Sequence, residues 1–437
     1  MRKGPVFMAR INYEHPADQI VRYMKRIYDF GMTTTSGGNL SILDENGDMW
    51  ISPSGIDKGT LTPADIMLVR KDGSITGKHR PSVEYPFHQA IYKARPEARA
   101  VVHAHPPMLV AWSIAKKIPC MNIIPNAKYI VDRPGMAGYG CPGSMVLGGK
   151  IRDEFAKGFK SVLLENHGAV VCGDSLADAF RRFETYDFTA RIAAGATLLG
   201  GVSALSDAEI DDALSDRNGA FRQVDPVQPG VEELAVRKRI CELTRRAYRQ
   251  KLFNCADGTF AVRTPGGFII TSKNADRADI RPDELIAVNG LEYSGDMGLD
   301  PFAWLVKRIF DEQPDLNTVI FAHPPALTAF GVARTDLNTR LIPESYLLLR
   351  EMPSFDFGTQ FREPETIAGT ISPRTPVLLV KNDFTLTAGG DPLQALDRLE
   401  VAEYSAQAAI TASKLGELKL MGEDAIQDII SAFHLIP

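Results

Sequence analysis

Two imidazoles one residue apart close an apolar run at VVHAHPP, residues 101–107, and the chain returns to the theme at VIFAHPP, residues 319–325, with a single histidine. On a β-strand, residues i and i+2 point to the same side, so His103 and His105 can aim both ring nitrogens at one point while Ala104 faces away. His167, in LLENHGAV where a second apolar run gives way to glycine, supplies a third neutral nitrogen. Three histidines with a vacant coordination position suit a catalytic divalent metal: zinc first, with manganese, cobalt or iron also compatible. The competing reading makes His103 and His105 polar residues at a strand end, satisfied by backbone groups. The bare H-x-H pattern weighs the two evenly.

Upstream, HRPSVEYPFHQAIYKARP predicts a helix opening after Pro81, with Ser82 as N-cap and Glu84 in the first turn. A first-turn glutamate often serves only the helix dipole. Two glycine-containing turns, TTTSGGNLS (33–41) and ISPSGIDKG (51–59), offer small hydroxyls, backbone N–H groups and one lysine. Such turns can form anion nests, although neither has Walker spacing.

The elements that must position these residues are set by a long chain of ordinary composition. With 437 residues, 44% hydrophobic, it has material for two cores. A net charge of −5 gives no basic excess for phosphate backbones or anionic lipid, so neither nucleic acid nor membrane is an expected partner. Five cysteines in no C-x-x-C pair suggest neither a disulfide framework nor a cysteine metal site, and fit a reducing cytoplasm. The first 25 residues lack the apolar core of an export signal, and no run of 18 apolar residues occurs. The expected location is cytoplasmic.

Aligning the HPP segments brings ARPEARAVVHAHPP onto EQPDLNTVIFAHPP, 218 residues later, without a gap. The match extends upstream, where LTPADIMLV meets IRPDELIAV, and downstream, where VLLENHGAVVCGDSLADAFRRFE meets VLLVKNDFTLTAGGDPLQALDRLE. So long a period means duplicated domains, not a solenoid. The reading is a first domain over 1–215, a linker over 216–230 and a second domain over 231–437. In both, helices at Ala17–Phe30 and Val231–Arg249 precede a glycine-rich strand pair, a helix, the HPP strand, another strand and a closing helix. The predicted class is α/β, with helices flanking a central sheet.

Taken in order, G-G-N-x-S, S-P-S-G, P-S-x-E, H-A-H-P and a distant N-H-G over residues 15–200 resemble the class II aldolase/adducin family, whose members include fuculose-1-phosphate aldolase. The resemblance implies that His103, His105 and His167 hold a zinc or similar ion, and that Glu84 moves the proton. It implies an anion cradle of Ser36, Gly38, Asn39, Ser54, Gly55 and Ser82. Sugar-phosphate aldolases of this family often carry a second serine before the glutamate, where this chain has Val83, so the anion is phosphate or carboxylate. Tyr129 and Tyr139 are candidates for the tyrosine such aldolases borrow from a neighbouring subunit, with packing the competing role.

The implied activity is a metal-dependent lyase cleaving a C–C bond of a small phosphorylated sugar or sugar acid, through a metal-stabilised enediolate. Decarboxylation, epimerisation and dehydration use the same machinery, and an adducin-like binding module is the non-catalytic alternative. In the second copy, Phe302, Phe321 and Asp383 stand where Glu84, His103 and His167 stand in the first, leaving His323 opposite His105. That copy is expected to be degenerate, with His323 a hydrogen-bonded core histidine. Since active sites of the family lie at subunit interfaces, a homo-oligomer, dimer or tetramer, is also implied.

Overall fold

The computed structural model describes residues 14–434; residues 1–13 of the stretch read above for an export signal lie outside the described residues. The backbone divides into two compact units. One runs up to Met121 and takes in Ala127–Ala190; the other holds Asn122–Asn126 and Arg191 onward. Among the described residues no helix is long and apolar enough to cross a membrane.

The first unit is built on strands β1 (Asn39–Leu43), β2 (Met49–Ile51), β3 (Met67–Val69), β4 (Ile75–Thr76), β5 (Ala100–Ala104), β6 (Gly135–Ala137), β7 (Ser161–Leu164) and β8 (Gly168–Gly173). Their order is β4-β3-β2-β1-β5-β8-β7-β6, antiparallel except between β6 and β7. AVVHA of β5 and GAVVCG of β8 are buried along their whole length, which is why they read as apolar runs without alternation. Phe87 and Ile91 of helix Tyr85–Ala94, with Ile151 and Phe155 of helix Met145–Ala156, pack onto Val101, Val162 and Val170. The helix Pro16–Asp29 buries Ile20, Met24 and Ile27 on its inward stripe.

The second unit repeats this plan with β9 (Arg222–Gln223), β10 (Thr259–Thr264), β11 (Gly267–Ile270), β12 (Ile286–Asn289), β13 (Glu292–Ser294), β14 (Thr318–Ala322), β15 (Ser354–Phe355), β16 (Val377–Val380) and β17 (Thr385–Gly389). Its order, β15-β16-β17-β14-β10-β11-β12-β13-β9, matches the first sheet strand for strand with β9 added at the edge. The register matches too: Asn39 lies opposite His103 as Thr259 lies opposite Phe321. The chain is mixed α/β, with two sheets of matching strand order in tandem.

The segment 216–230 is more than a linker. It contains β9, which pairs in parallel with β13, and the Asn218 side-chain amide donates to Asp300 O at 2.8 Å. Backbone groups at the open edge of the second sheet take up what the polar composition suggested was free chain. The division between units falls instead within helix Leu176–Leu198.

Candidate metal centre and active site

His103 is fully buried on β5, and its Nδ1 donates to Ala169 O on β8 at 2.9 Å. A carbonyl only accepts, so Nδ1 carries a hydrogen and Nε2 is the atom turned to the site. His105 follows at the strand end, with Nε2 3.1 Å from His103 Nε2. His167 sits in the loop joining β7 to β8, where Asn166 takes the left-handed conformation at φ +55° that asparagine tolerates. The next residue must be glycine: a Cβ on Gly168 would stand 2.6 Å from Ala104 O and 2.7 Å from His105 Cδ2. Strand periodicity and a hairpin turn thus bring three rings together.

One nitrogen from each of His103, His105 and His167 lies within 4.8 Å of the others, a cluster that could hold a metal ion. Burial, then repulsion from His103, pushes His105 down to about 3 and His167 to about 4, which keeps both neutral as ligation requires.

Glu84 departs from the expected local structure. It is itself the N-cap residue of helix Tyr85–Ala94, at φ −93° and ψ 2°, and makes no capping bond with its side chain. The Ser82 hydroxyl instead accepts from the Glu84 backbone N–H at 3.3 Å. The carboxylate therefore leaves its helix and turns to the histidines. Oε2 lies 3.4 Å from His103 Nε2, Oε1 lies 3.8 Å from His167 Nε2, and Oε1 is buried without a hydrogen-bond partner. Burial would raise its pKa, but His103 and the Asn39 amide outweigh this and hold it well below the usual carboxylate range.

Asn39, which the resemblance places in the anion cradle, also holds Glu84. Its Nδ2 donates to Glu84 Oε2 at 2.8 Å, and its Oδ1 accepts from His88 Nε2. Beyond His88 the bonding continues to Ser41 Oγ and Tyr92 OH, each step 2.7 Å. His88, Ser41 and Tyr92 escaped the sequence reading. One signal was there: His88 stands four residues after Glu84, on the same helical face.

The anion turns are laced to one another. Lys58 N donates to Thr35 O at 2.9 Å, Leu40 N to Ser52 Oγ at 3.2 Å, Ser82 N to Ser52 O at 3.2 Å and Ser54 N to Arg80 O at 2.9 Å. Gly38, at φ +71°, packs under His103, where a Cβ would meet His103 O at 2.9 Å. Ser36 and Gly55 are exposed, Ser54 half-buried and Ser82 buried. Lys58 is buried, and burial lowers it to about 8; its ammonium is taken by Pro53 O and Ile56 O, so it stiffens its own turn. Tyr129 and Tyr139 are both exposed.

Among the described residues the second unit holds no such centre. Phe302 caps its helix Ala303–Glu312 with the backbone of Glu84, at φ −91° and ψ 4°. Its ring stacks on Phe321, centroids 4.8 Å apart, and meets the edge of Phe384 at 5.1 Å. His323 Nδ1 lies 2.5 Å from Asp257, and its Nε2 3.4 Å from Asp383. Burial would lower this imidazole, but the two carboxylates raise it to about 10.

The Class II Aldolase and Adducin N-terminal domain matches residues 18–194 and again 238–410. The chain belongs to this family. A 3-oxo-tetronate 4-phosphate decarboxylase of Escherichia coli K12 is 34% identical over 179 residues, covering 40% of this chain and 84% of that protein. A 5-deoxy-D-ribulose 1-phosphate aldolase of Bacillus thuringiensis is 30% identical over 213 residues, 47% of this chain and 97% of the relative. Among solved structures, an L-fuculose 1-phosphate aldolase matches at 26% identity and a TM-score of 0.42, covering 47% of this chain and 96% of its own. These relatives mark the chain as an enzyme of the class II aldolase superfamily, with lyase chemistry in carbohydrate metabolism.

Proposed function

We propose that the first unit is a divalent-metal-dependent lyase that breaks a C–C bond of a small phosphorylated ketose or sugar acid. The observation that carries this reading is Glu84: a buried carboxylate with Oε2 held by Asn39 and Oε1 left free beside three convergent imidazoles. His103, His105 and His167 would hold the ion, zinc by the character of an all-nitrogen set, with manganese, cobalt or iron as alternatives. A bound divalent ion supplies positive charge opposite the oxygens of an enediolate.

The names of the relatives point to one intermediate. Loss of carbon dioxide from a 3-oxo-tetronate 4-phosphate, and retro-aldol cleavage of a 5-deoxyribulose 1-phosphate, both leave the enediolate of dihydroxyacetone phosphate. In retro-aldol cleavage Glu84 takes the C4 hydroxyl proton as the C3–C4 bond breaks and delivers it to the enediolate carbon, and in decarboxylation it passes to that carbon a proton taken from water. Ser36, Gly38, Ser54, Gly55 and Ser82 would receive the anionic group. The aldol reading leads because these turns supply an anion site. Decarboxylation is the second reading, favoured by the 34% identity to the decarboxylase.

The test begins with the shared half-reaction. Metal-loaded protein in deuterium oxide should place deuterium on the hydroxymethyl carbon of dihydroxyacetone phosphate, read by proton NMR. Absence of exchange, together with failure to release either carbon dioxide or an aldehyde from the two substrates above, would overturn the proposal.

A further inference from the structure

We propose that His88, backed by Ser41 and Tyr92, is the positioning residue for Glu84. By fixing the Asn39 amide in one orientation, it holds one carboxylate oxygen and leaves the other free.

The direction of every hydrogen bond follows from what each group can do. A carboxylate only accepts, so Asn39 turns its NH2 to Glu84 Oε2 and its carbonyl oxygen to His88. That oxygen also only accepts, so His88 carries its hydrogen on Nε2. Nδ1 is then bare and takes the Ser41 hydroxyl hydrogen, and Ser41 in turn accepts from Tyr92. From Tyr92 onward, each donor points toward Glu84. Were the amide free to flip, its oxygen would face Glu84 Oε2 at 2.8 Å, acceptor against acceptor, and the carboxylate would swing away.

The second unit supplies an independent control. At the positions of Asn39, Ser41, His88 and Tyr92 it carries Thr259, Ala261, Val306 and Phe310, as the two strand registers and the two helix caps establish. Its sheet keeps the same strand order without the chain of polar groups. The fold therefore does not need them, and the group that vanishes with them is the carboxylate, replaced by Phe302. Buried polar chains are costly unless each member is satisfied, and here Asn39, Ser41 and His88 are all buried with Tyr92.

This inference rests on the proposed role of Glu84 for its consequence in catalysis, but the bonding can be read without turnover. Nitrogen-15 NMR of the metal-loaded full chain should show His88 with hydrogen on Nε2 and a bare Nδ1. The Asn39 side-chain amide should exchange with solvent at least tenfold faster in His88→Phe than in wild type, with metal content unchanged. In the same variant, deuterium uptake by dihydroxyacetone phosphate should fall tenfold or more without loss of binding, and His88→Gln, which restores an N–H donor, should recover part of it. His88 protonated on Nδ1 in the wild type, which needs no variant to fold, would overturn the proposal. So would amide exchange and deuterium uptake unchanged by His88→Phe. Wild-type protein that takes up no deuterium would count against the proposed function alone, with the tautomer and the amide exchange still deciding the positioning role.

Discussion

Where the first unit gathers three imidazoles and a carboxylate, the second stacks three phenyl rings. The backbones are alike down to the loop that carries His167 in one and Asp383 in the other, with Asn166 and Asn382 both left-handed at φ +55° and +59°. Lys58 in the first and Arg277 in the second each clamp the carbonyls of their own turn, through Pro53 and Ile56 or through Ser272 and Ala275. What differs is how the centre is filled. In the first unit, three ring nitrogens converge where a metal ion could sit. In the second, apolar rings fill the space and the one retained histidine is held between Asp257 and Asp383. The lesson is that losing the chemistry required changes at several linked positions, because a lone ligand or carboxylate left behind would be a buried group without a partner.

The contrast can be broken most sharply at the metal. Elemental analysis of the full chain should find one divalent ion that His103→Ala with His105→Ala removes together with all turnover, whereas Asp383→Ala should leave the metal content as it was. A metal lost from Asp383→Ala would undo the assignment of a single centre. Next in size, Glu84→Gln should keep its metal and lower turnover by about 10²–10⁴-fold, the range for a general acid–base group. Unchanged kcat would remove Glu84 from the chemistry.

On the other side of the comparison, His323→Phe removes the cation held between two buried carboxylates and should cost about 3–5 kcal/mol of stability in chemical denaturation. The pH dependence has a definite sign. The folded-state pKa of His323 is raised to about 10, so its contribution is complete below an unfolded value near 6.5 and erodes as pH climbs toward about 10. Denaturation curves between those limits should show wild-type stability falling, and a flatter profile in the variant; identical profiles would count against a protonated His323. The smallest effect is expected at Val83, which is exposed beside Ser82. Val83→Ser should leave stability unchanged and tighten phosphate-ester binding by about 1 kcal/mol, roughly fivefold, in calorimetric titration. No gain would mean that the anion sits elsewhere.

Much of this was legible before any coordinates. The spacing of His103 and His105 on an apolar run specified a shared face, and the duplicated HPP segments specified two copies. Glu84 was legible as a candidate only through the family pattern, since composition alone made it a helix-dipole residue. Its status as a cap that turns outward depends on backbone angles at the first helical turn, which a sequence window blurs by a residue or two. The edge strand at Arg222–Gln223 was hidden because a polar two-residue strand has no periodicity to detect.

By itself, the sequence determined the residue types, the period that placed them and the duplication that lets one copy be read against the other. These are local or repeating properties, and hydrophobic periodicity records them directly. Only the tertiary structure decided which distant groups meet: Asn39 with Glu84, His88 with Asn39, and His323 with both Asp257 and Asp383. Those contacts arise from strand register and helix docking, which bring together residues dozens of positions apart. A hydrogen bond's direction depends on that meeting and on nothing nearer in the chain.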